Sequence, residues 1–197
     1  MTNSAAMTKE DIPSRHRELL TQILSSPITR LTRYSWSPKE AVAAEDRMAS
    51  EQVFSRTAGP LLMTLESGLV IGVASQPSLI SVTLWIDDPP RISVDPELCP
   101  IEADDPQFSE AGFAQMLGRR VEAITVLTRD PEDVRWEDLP REAGVVLAFT
   151  DAPELILSHG LHDNSDDFSV LLRNGIDPSL RGRLHESCSF RPAPGHG

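Results

Sequence analysis

Lysine, cysteine and aromatic residues are scarce in this sequence, and basic residues are outnumbered by acidic ones. With 18 basic against 30 acidic side chains the formal net charge is -12. That balance argues against a general nucleic-acid binder, because such proteins must neutralise phosphates with Lys and Arg. It argues equally against binding to an anionic membrane surface. The longest apolar stretch, Leu69 to Ala74, is too short to span a bilayer.

Several other absences bear on location and chemistry. Residues 1–25 lack a continuous apolar signal segment, which predicts a cytoplasmic protein. Cys99 and Cys188 are far apart in the sequence, so we expect free, inert thiols rather than a disulfide framework. The chain contains no glycine-rich phosphate-binding motif and no serine nucleophile motif, so we predict no cofactor and no catalytic residue.

The length and the hydrophobic content of the chain indicate one folded domain. A chain of 197 residues with 40% hydrophobic residues can bury a core without disulfides or a metal ion. We place a single α+β domain at residues 8–190, between disordered ends at 1–7 and 191–197. Shifted by 85 residues, Gly59 and Val70 fall on Gly144 and Leu155, which indicates a pseudo-repeat of 59–86 in 144–172.

Hydrophobic periodicity predicts the elements of this domain. One helix is expected to begin near Asp11, and a second to run from Ser109 to Gly118. The segment 87–110, which is rich in proline and acidic residues, is expected to be irregular. Strands are predicted at 28–36, 61–65, 69–73, 79–86, 121–127, 145–150, 155–161 and 168–172. The predicted fold is therefore α+β: a mostly antiparallel sheet built from two β-hairpin or meander units, with an N-terminal and a central helix packed on it.

The negative charge is concentrated in one stretch. Residues 61–169 carry 21 acidic and six basic side chains, whereas residues 1–60 and 170–197 are slightly basic. One interpretation is that the charge serves solubility, and the other is an acidic surface for a basic protein partner. The second interpretation makes Asp104 and Asp105, within the proline-rich segment, candidates for contact with that partner.

The most unusual string, SHGLHDNSDDF, spans Ser158 to Phe168. His159, His162 and Asp163 have the residue types that bind zinc or another divalent ion. A second interpretation is a polar loop in which Asp163 or Asn164 caps a turn. A third is a loop that faces a protein partner, for which Asp163, Asp166 and Asp167 are the candidates.

Trp136 lies between Arg135 and Glu137 in an acidic segment, which is unusual for so large an aromatic residue. It either anchors its own loop by burial or forms an exposed contact for a partner.

The segment Glu154 to Phe168, ELILSHGLHDNSDDF, follows a glycine-led strand in an acidic α+β chain that has no enzyme motif. In this character the chain resembles the immunity proteins of bacterial toxin–immunity systems. The resemblance implies a protein that binds a cognate toxin and occludes its active site, commonly a basic cleft. Two alternatives remain open: a structural or regulatory module, including an oligomeric one, and a metal-dependent enzyme that uses the region of His159, His162 and Asp163.

Overall fold

Apolar and β-branched runs form ten strands in the computed structural model, which describes residues 12–192. Five of these strands form sheet 1: β1 (Ile28–Ser35), β2 (Leu61–Leu65), β3 (Val70–Gln76), β4 (Ser81–Ile86) and β5 (Cys99–Glu102). The other five form sheet 2: β6 (Val121–Arg129), β7 (Gly144–Phe149), β8 (Leu155–His159), β9 (Phe168–Leu172) and β10 (Leu184–Phe190). The described residues also contain four α-helices: α1 (Arg17–Ser25), α2 (Lys39–Glu45), α3 (Val53–Arg56) and α4 (Ala111–Ala114). The predicted α+β class is confirmed.

The two sheets have the same topology. Sheet 1 has the order β4-β3-β2-β1-β5 and sheet 2 the order β10-β6-β7-β8-β9, so each is a four-stranded meander whose fifth strand returns to pair with the first. All the pairings are antiparallel. The pseudo-repeat stays a prediction, and this shared strand order supports it.

One hydrophobic core lies between the sheets. Leu31, Met63 and Val73 of sheet 1 belong to the same buried cluster as Leu147 and Leu157 of sheet 2. The amide of Val82 also donates to the carbonyl of Glu142 at 2.9 Å, which ties β4 to the segment that precedes β7. The buried residues Leu20, Ile23, Phe54, Phe113 and Met116 bring α1, α3 and the α4 region into that cluster. A smaller cluster, which includes Ile156, Leu171 and Ile176, lies beside it.

The strand predictions are wrong at two sheet edges. The irregular segment expected at 87–110 contains β5, which pairs with β1 at the edge of sheet 1. An edge strand tolerates Pro100, which has no N–H to donate, because only one side of the strand is hydrogen-bonded. The sequence also predicts no strand at 184–190, where β10 pairs with β6. β10 is largely exposed and polar, so it has no apolar run of the kind that indicates a strand.

Both predicted helices are shorter than expected. Asp11, the predicted helix start, lies outside the described residues, as do residues 1–7 and 193–197 of the predicted disordered ends. The chain forms a 3-10 turn at Pro13–Arg15 before α1 begins at Arg17. The central helix is reduced to α4, which has no side-chain cap, and the Ser109 hydroxyl donates to the carbonyl of Ala103. Within residues 12–192 no helix is long and apolar enough to cross a membrane.

Candidate functional site

The SHGLHDNSDDF segment forms a tight loop between two neighbouring strands. Ser158 and His159 end β8, and β9 begins at Phe168, so residues 160–167 (the 160–167 loop) connect them. The amide of Gly160 donates to the carbonyl of Asp167 at 2.9 Å and closes the loop. Gly160 has a φ of 65°, and a Cβ at this position would lie 2.0 Å from the Ser165 carbonyl oxygen. Glycine is therefore required for the chain to turn here.

His159 holds this loop to sheet 1. Its side chain is fully buried, and its Nδ1 is hydrogen-bonded to the Ser75 hydroxyl of β3. The same hydroxyl donates to the carbonyl of Asp166 at 2.9 Å. Because a carbonyl can only accept, the Ser75 proton points to Asp166, and Nδ1–H of His159 donates to Ser75. Burial lowers the pKa of His159 to about 4, so the ring is neutral at pH 7.

Ser75, His159 and Asp166 are the residue types of a Ser-His-Asp catalytic triad, but their geometry does not activate a nucleophile. The Ser75 proton is engaged by the main-chain carbonyl of Asp166, and the ring nitrogen of His159 that faces Ser75 already carries a proton, so His159 does not act as a base towards this hydroxyl. Its Nε2 lies 3.9 Å from Oδ1 of Asp166, which is too far for a hydrogen bond. The arrangement instead fixes the loop in position.

His162 contacts a different partner from His159. Its Nε2 lies 3.1 Å from Oδ2 of Asp163, and burial lowers the pKa of His162. Oδ1 of Asp163 accepts the amide of Ser165 at 3.0 Å, so the turn-capping interpretation is confirmed for Asp163. Within residues 12–192 no group of three or more His, Cys, Asp or Glu side chains could hold a metal ion. The metal-dependent alternative therefore has no ligand set in this part of the chain.

Three exposed aspartates lie on the 160–167 loop. Asp163, Asp166 and Asp167 are exposed, and the Asp166 side chain has 83% of its surface accessible. Across residues 12–192 no Lys or Arg forms an ion pair with any of the three. Several other acidic residues in the described range form ion pairs with arginine: Glu102 with Arg30, Glu132 with Arg183, Asp133 with Arg135 and Glu154 with Arg173. The 160–167 loop thus presents three carboxylates that pair directly with no lysine or arginine in the described part of the chain.

Trp136 is connected to this loop through a buried arginine. The Arg129 guanidinium lies 5.8 Å from the centre of the Trp136 ring. Its Nη1 donates to Oδ1 of Asn164, inside the loop, at 2.9 Å. Trp136 is half-buried, so it combines the anchoring contact with a surface that a partner could reach. Two positions before it in the sequence, Val134 has 75% of its surface exposed.

Asp104 and Asp105 belong to another part of the surface. Asp105 pairs with Lys39 and accepts the amides of Gln107 at 2.9 Å and Phe108 at 3.0 Å. Burial raises the pKa of Asp105, but the hydrogen bond from Lys39 and those from the two amides outweigh it, and the net shift is downward. No hydrogen bond or ion pair among the described residues joins Asp104 or Asp105 to the 160–167 loop. Both line a groove of about 600 Å³ together with Glu51 and Glu110.

Sequence reasoning missed the two arginines behind the loop, Arg129 and Arg33. Arg33 of β1 is fully buried, and its Nη2 donates to the Phe168 carbonyl at 3.1 Å. Its guanidinium lies 4.6 Å from the centre of the Phe168 ring, while Nε and Nη1 have no partner among the described residues. Burial lowers the pKa of Arg33 to about 9, so it is charged at pH 7. Nothing in the string ITRLTRYS distinguishes the buried Arg33 from the exposed Arg30.

The two cysteines are free and half-buried, and burial raises the pKa of Cys188. A raised thiol pKa reduces the thiolate fraction and with it the reactivity.

No family model, curated protein or solved structure matches this chain.

Proposed function

We propose that the protein is an acidic immunity or inhibitor protein that binds a cognate bacterial toxin in the cytoplasm and occludes its active site. The observation that carries the proposal is the joining of the 160–167 loop and Trp136 into one surface by Arg129. This surface combines a half-buried tryptophan with three exposed carboxylates that pair with no lysine or arginine among residues 12–192. Interfaces of this kind use an aromatic anchor for affinity and charges for orientation.

Electrostatics favours a basic partner. His159 and His162 have lowered pKa values, so neither neutralises the neighbouring Asp166 or Asp163 at pH 7. The charge of the loop adds to the surplus of acidic residues in 61–169. Such a potential accelerates the diffusional encounter with a cationic cleft, and salt reduces the effect.

The loop is also held rigid before any partner arrives. Gly160 closes it, Asn164 is fixed by Arg129, and the Asp166 carbonyl is fixed by Ser75. Ordering a flexible loop on binding costs free energy, so a preformed loop retains more of the contact energy. This rigidity supports a recognition role for the loop.

The test is an affinity pull-down from the native cell with identification of the bound protein. The wild-type chain is compared with D163N/D166K/D167K, in which the asparagine substituted for Asp163 keeps the Oδ1 acceptor that caps the turn. The control variant E40K/E45K/D46N makes the same change of charge at three exposed residues in and just after α2. The proposal expects one basic protein to be recovered with the wild type and the control and to be depleted with the loop variant.

Function is then measured on the recovered protein. A stoichiometric loss of its enzymatic activity on adding the wild-type chain supports the proposal. Recovery of the same protein by the loop variant and the wild type in equal amounts would reject the loop as the contact site. Recovery of only further copies of this chain would favour the structural or oligomeric module instead.

A further inference from the structure

An exposed apolar side chain lies close in the chain to Trp136 and is held beside the 160–167 loop. Val134 has 75% of its surface accessible, which is more than Trp36, Val94 or Ile86 has. It begins a one-turn 3-10 helix, Val134–Trp136, whose last residue is the half-buried tryptophan. A single exposed valine is common on protein surfaces, so its meaning depends on how firmly it is held and on what surrounds it.

One arginine fixes the chain that follows this turn. The Nε of Arg141 donates to the carbonyl of Arg129, at the end of β6, at 3.0 Å. Its Nη1 donates to the carbonyls of Glu137 at 2.7 Å and Leu139 at 3.1 Å, and also to that of Trp136. A single guanidinium therefore ties the backbone of 136–139 to sheet 2.

Carboxylates fix the chain before and within the turn. Oδ1 of Asp133 accepts the Arg135 amide at 2.9 Å and caps the 3-10 helix. Oε1 of Glu132 accepts Nη1 of Arg183 at 2.7 Å, and its Oε2 accepts the side-chain amide of Asn164 at 3.4 Å. Because Asn164 belongs to the 160–167 loop, Val134 is held next to that loop on both sides of the turn. A side chain on a preordered base loses little conformational entropy when a partner covers it.

We propose that Val134 inserts into an apolar pocket beside the cationic cleft of the toxin. The inference rests on the proposed function and adds to the chemistry of the partner, which must offer an apolar pocket bordered by cations. Glu137 and Asp138, just after the turn, are exposed, and within residues 12–192 neither forms an ion pair. These carboxylates and those of the 160–167 loop attract a cationic surface, whereas burial of Val134 slows its dissociation.

The test uses the basic protein that the wild-type chain recovers in the pull-down, mixed with Val134→Ala by stopped flow. Alanine removes apolar surface equivalent to two methylene groups, so dissociation should be about tenfold faster. The association rate constant and its salt dependence should not change. Val94→Ala is the matched control, because Val94 is 67% exposed and lies between β4 and β5, and it should behave like the wild type. Both side chains are exposed, so both variants should unfold at the urea concentration of the wild type.

Val134→Thr shows whether the contact is dry. Threonine keeps the shape of valine but places a hydroxyl in the pocket, so it should also speed dissociation, whereas a hydrated contact would tolerate it. Wild-type dissociation of Val134→Ala, or equal effects at Val134 and Val94, would overturn the inference. If D163N/D166K/D167K still weakens binding in that case, the proposed function stands without the valine contact. If the wild-type chain recovers no basic protein, the proposed function fails and the inference fails with it.

Discussion

His159 should make the protein less stable as the pH falls from 7 to 5. The ring is buried and neutral in the folded protein, where burial lowers its pKa to about 4 from an unperturbed value of 6.5. Below pH 6.5 the unfolded chain therefore binds a proton at this residue that the folded chain does not. The stabilisation from the neutral ring is complete above pH 6.5 and is lost as the pH falls towards 4.

The magnitude follows from the difference between the two pKa values. Each pKa unit corresponds to about 1.4 kcal/mol, so the full loss at His159 is about 3 kcal/mol. Down to pH 5 the expected loss is about 2 kcal/mol. The pKa values of Asp105 and Glu132 are lowered, so these carboxylates affect the pH dependence of stability only below the interval from pH 7 to pH 5.

Urea unfolding at several pH values between 7 and 5 measures the effect, with His159→Asn as the comparison. Asparagine retains a side-chain N–H for Ser75 but does not titrate. The variant should be less stable at pH 7 by about 1–3 kcal/mol, because it leaves a cavity. Between pH 7 and 5 its free energy of unfolding should fall by about 2 kcal/mol less than that of the wild type. His162 is present in both proteins, so its contribution cancels in this comparison. Equal pH dependence of the two proteins would refute the burial of a neutral His159 beneath the loop.

Three further substitutions test the surroundings of the loop, each through its effect on the free energy of unfolding. Arg33→Met should leave it unchanged or raise it by up to about 2 kcal/mol, since a buried guanidinium that has no ion-pair partner within residues 12–192 is costly. A loss above about 3 kcal/mol would contradict this expectation. Gly160→Ala should lower it by at least about 2 kcal/mol through the clash with Ser165. Gly68→Ala, with φ at 88° and open space around it, should cost about 1 kcal/mol, and an equal cost at both glycines would contradict the close contact at Gly160.

The strands that can be predicted from the sequence are those whose side chains enter the core. β2, β3, β7 and β8 are apolar runs separated by turn residues, and the structure places them near the expected positions. β5 and β10 escape prediction because they are edge strands, and their pairing is decided by the strand beside them rather than by their own composition.

The candidate site can likewise be predicted from the sequence only in part. The residue types of SHGLHDNSDDF distinguish the loop, and the tendency of Asp163 to cap a turn is local in the chain. The contacts that give the loop its position are not local: Ser75 reaches His159 across 84 residues, and Arg129 reaches Asn164 across 35. Such pairs follow from the packing of the sheets, which no short pattern encodes.

Stopped-flow mixing of the protein with its captured partner at increasing ionic strength measures whether the acidic 160–167 loop guides their association. The acidic-loop account predicts a wild-type association rate constant that falls steeply with salt. D163N/D166K/D167K should associate at least about tenfold more slowly at low ionic strength and depend weakly on salt, while the dissociation rate changes less. E40K/E45K/D46N should behave like the wild type. Loop and control variants with the same rate and the same salt dependence as the wild type would contradict the account.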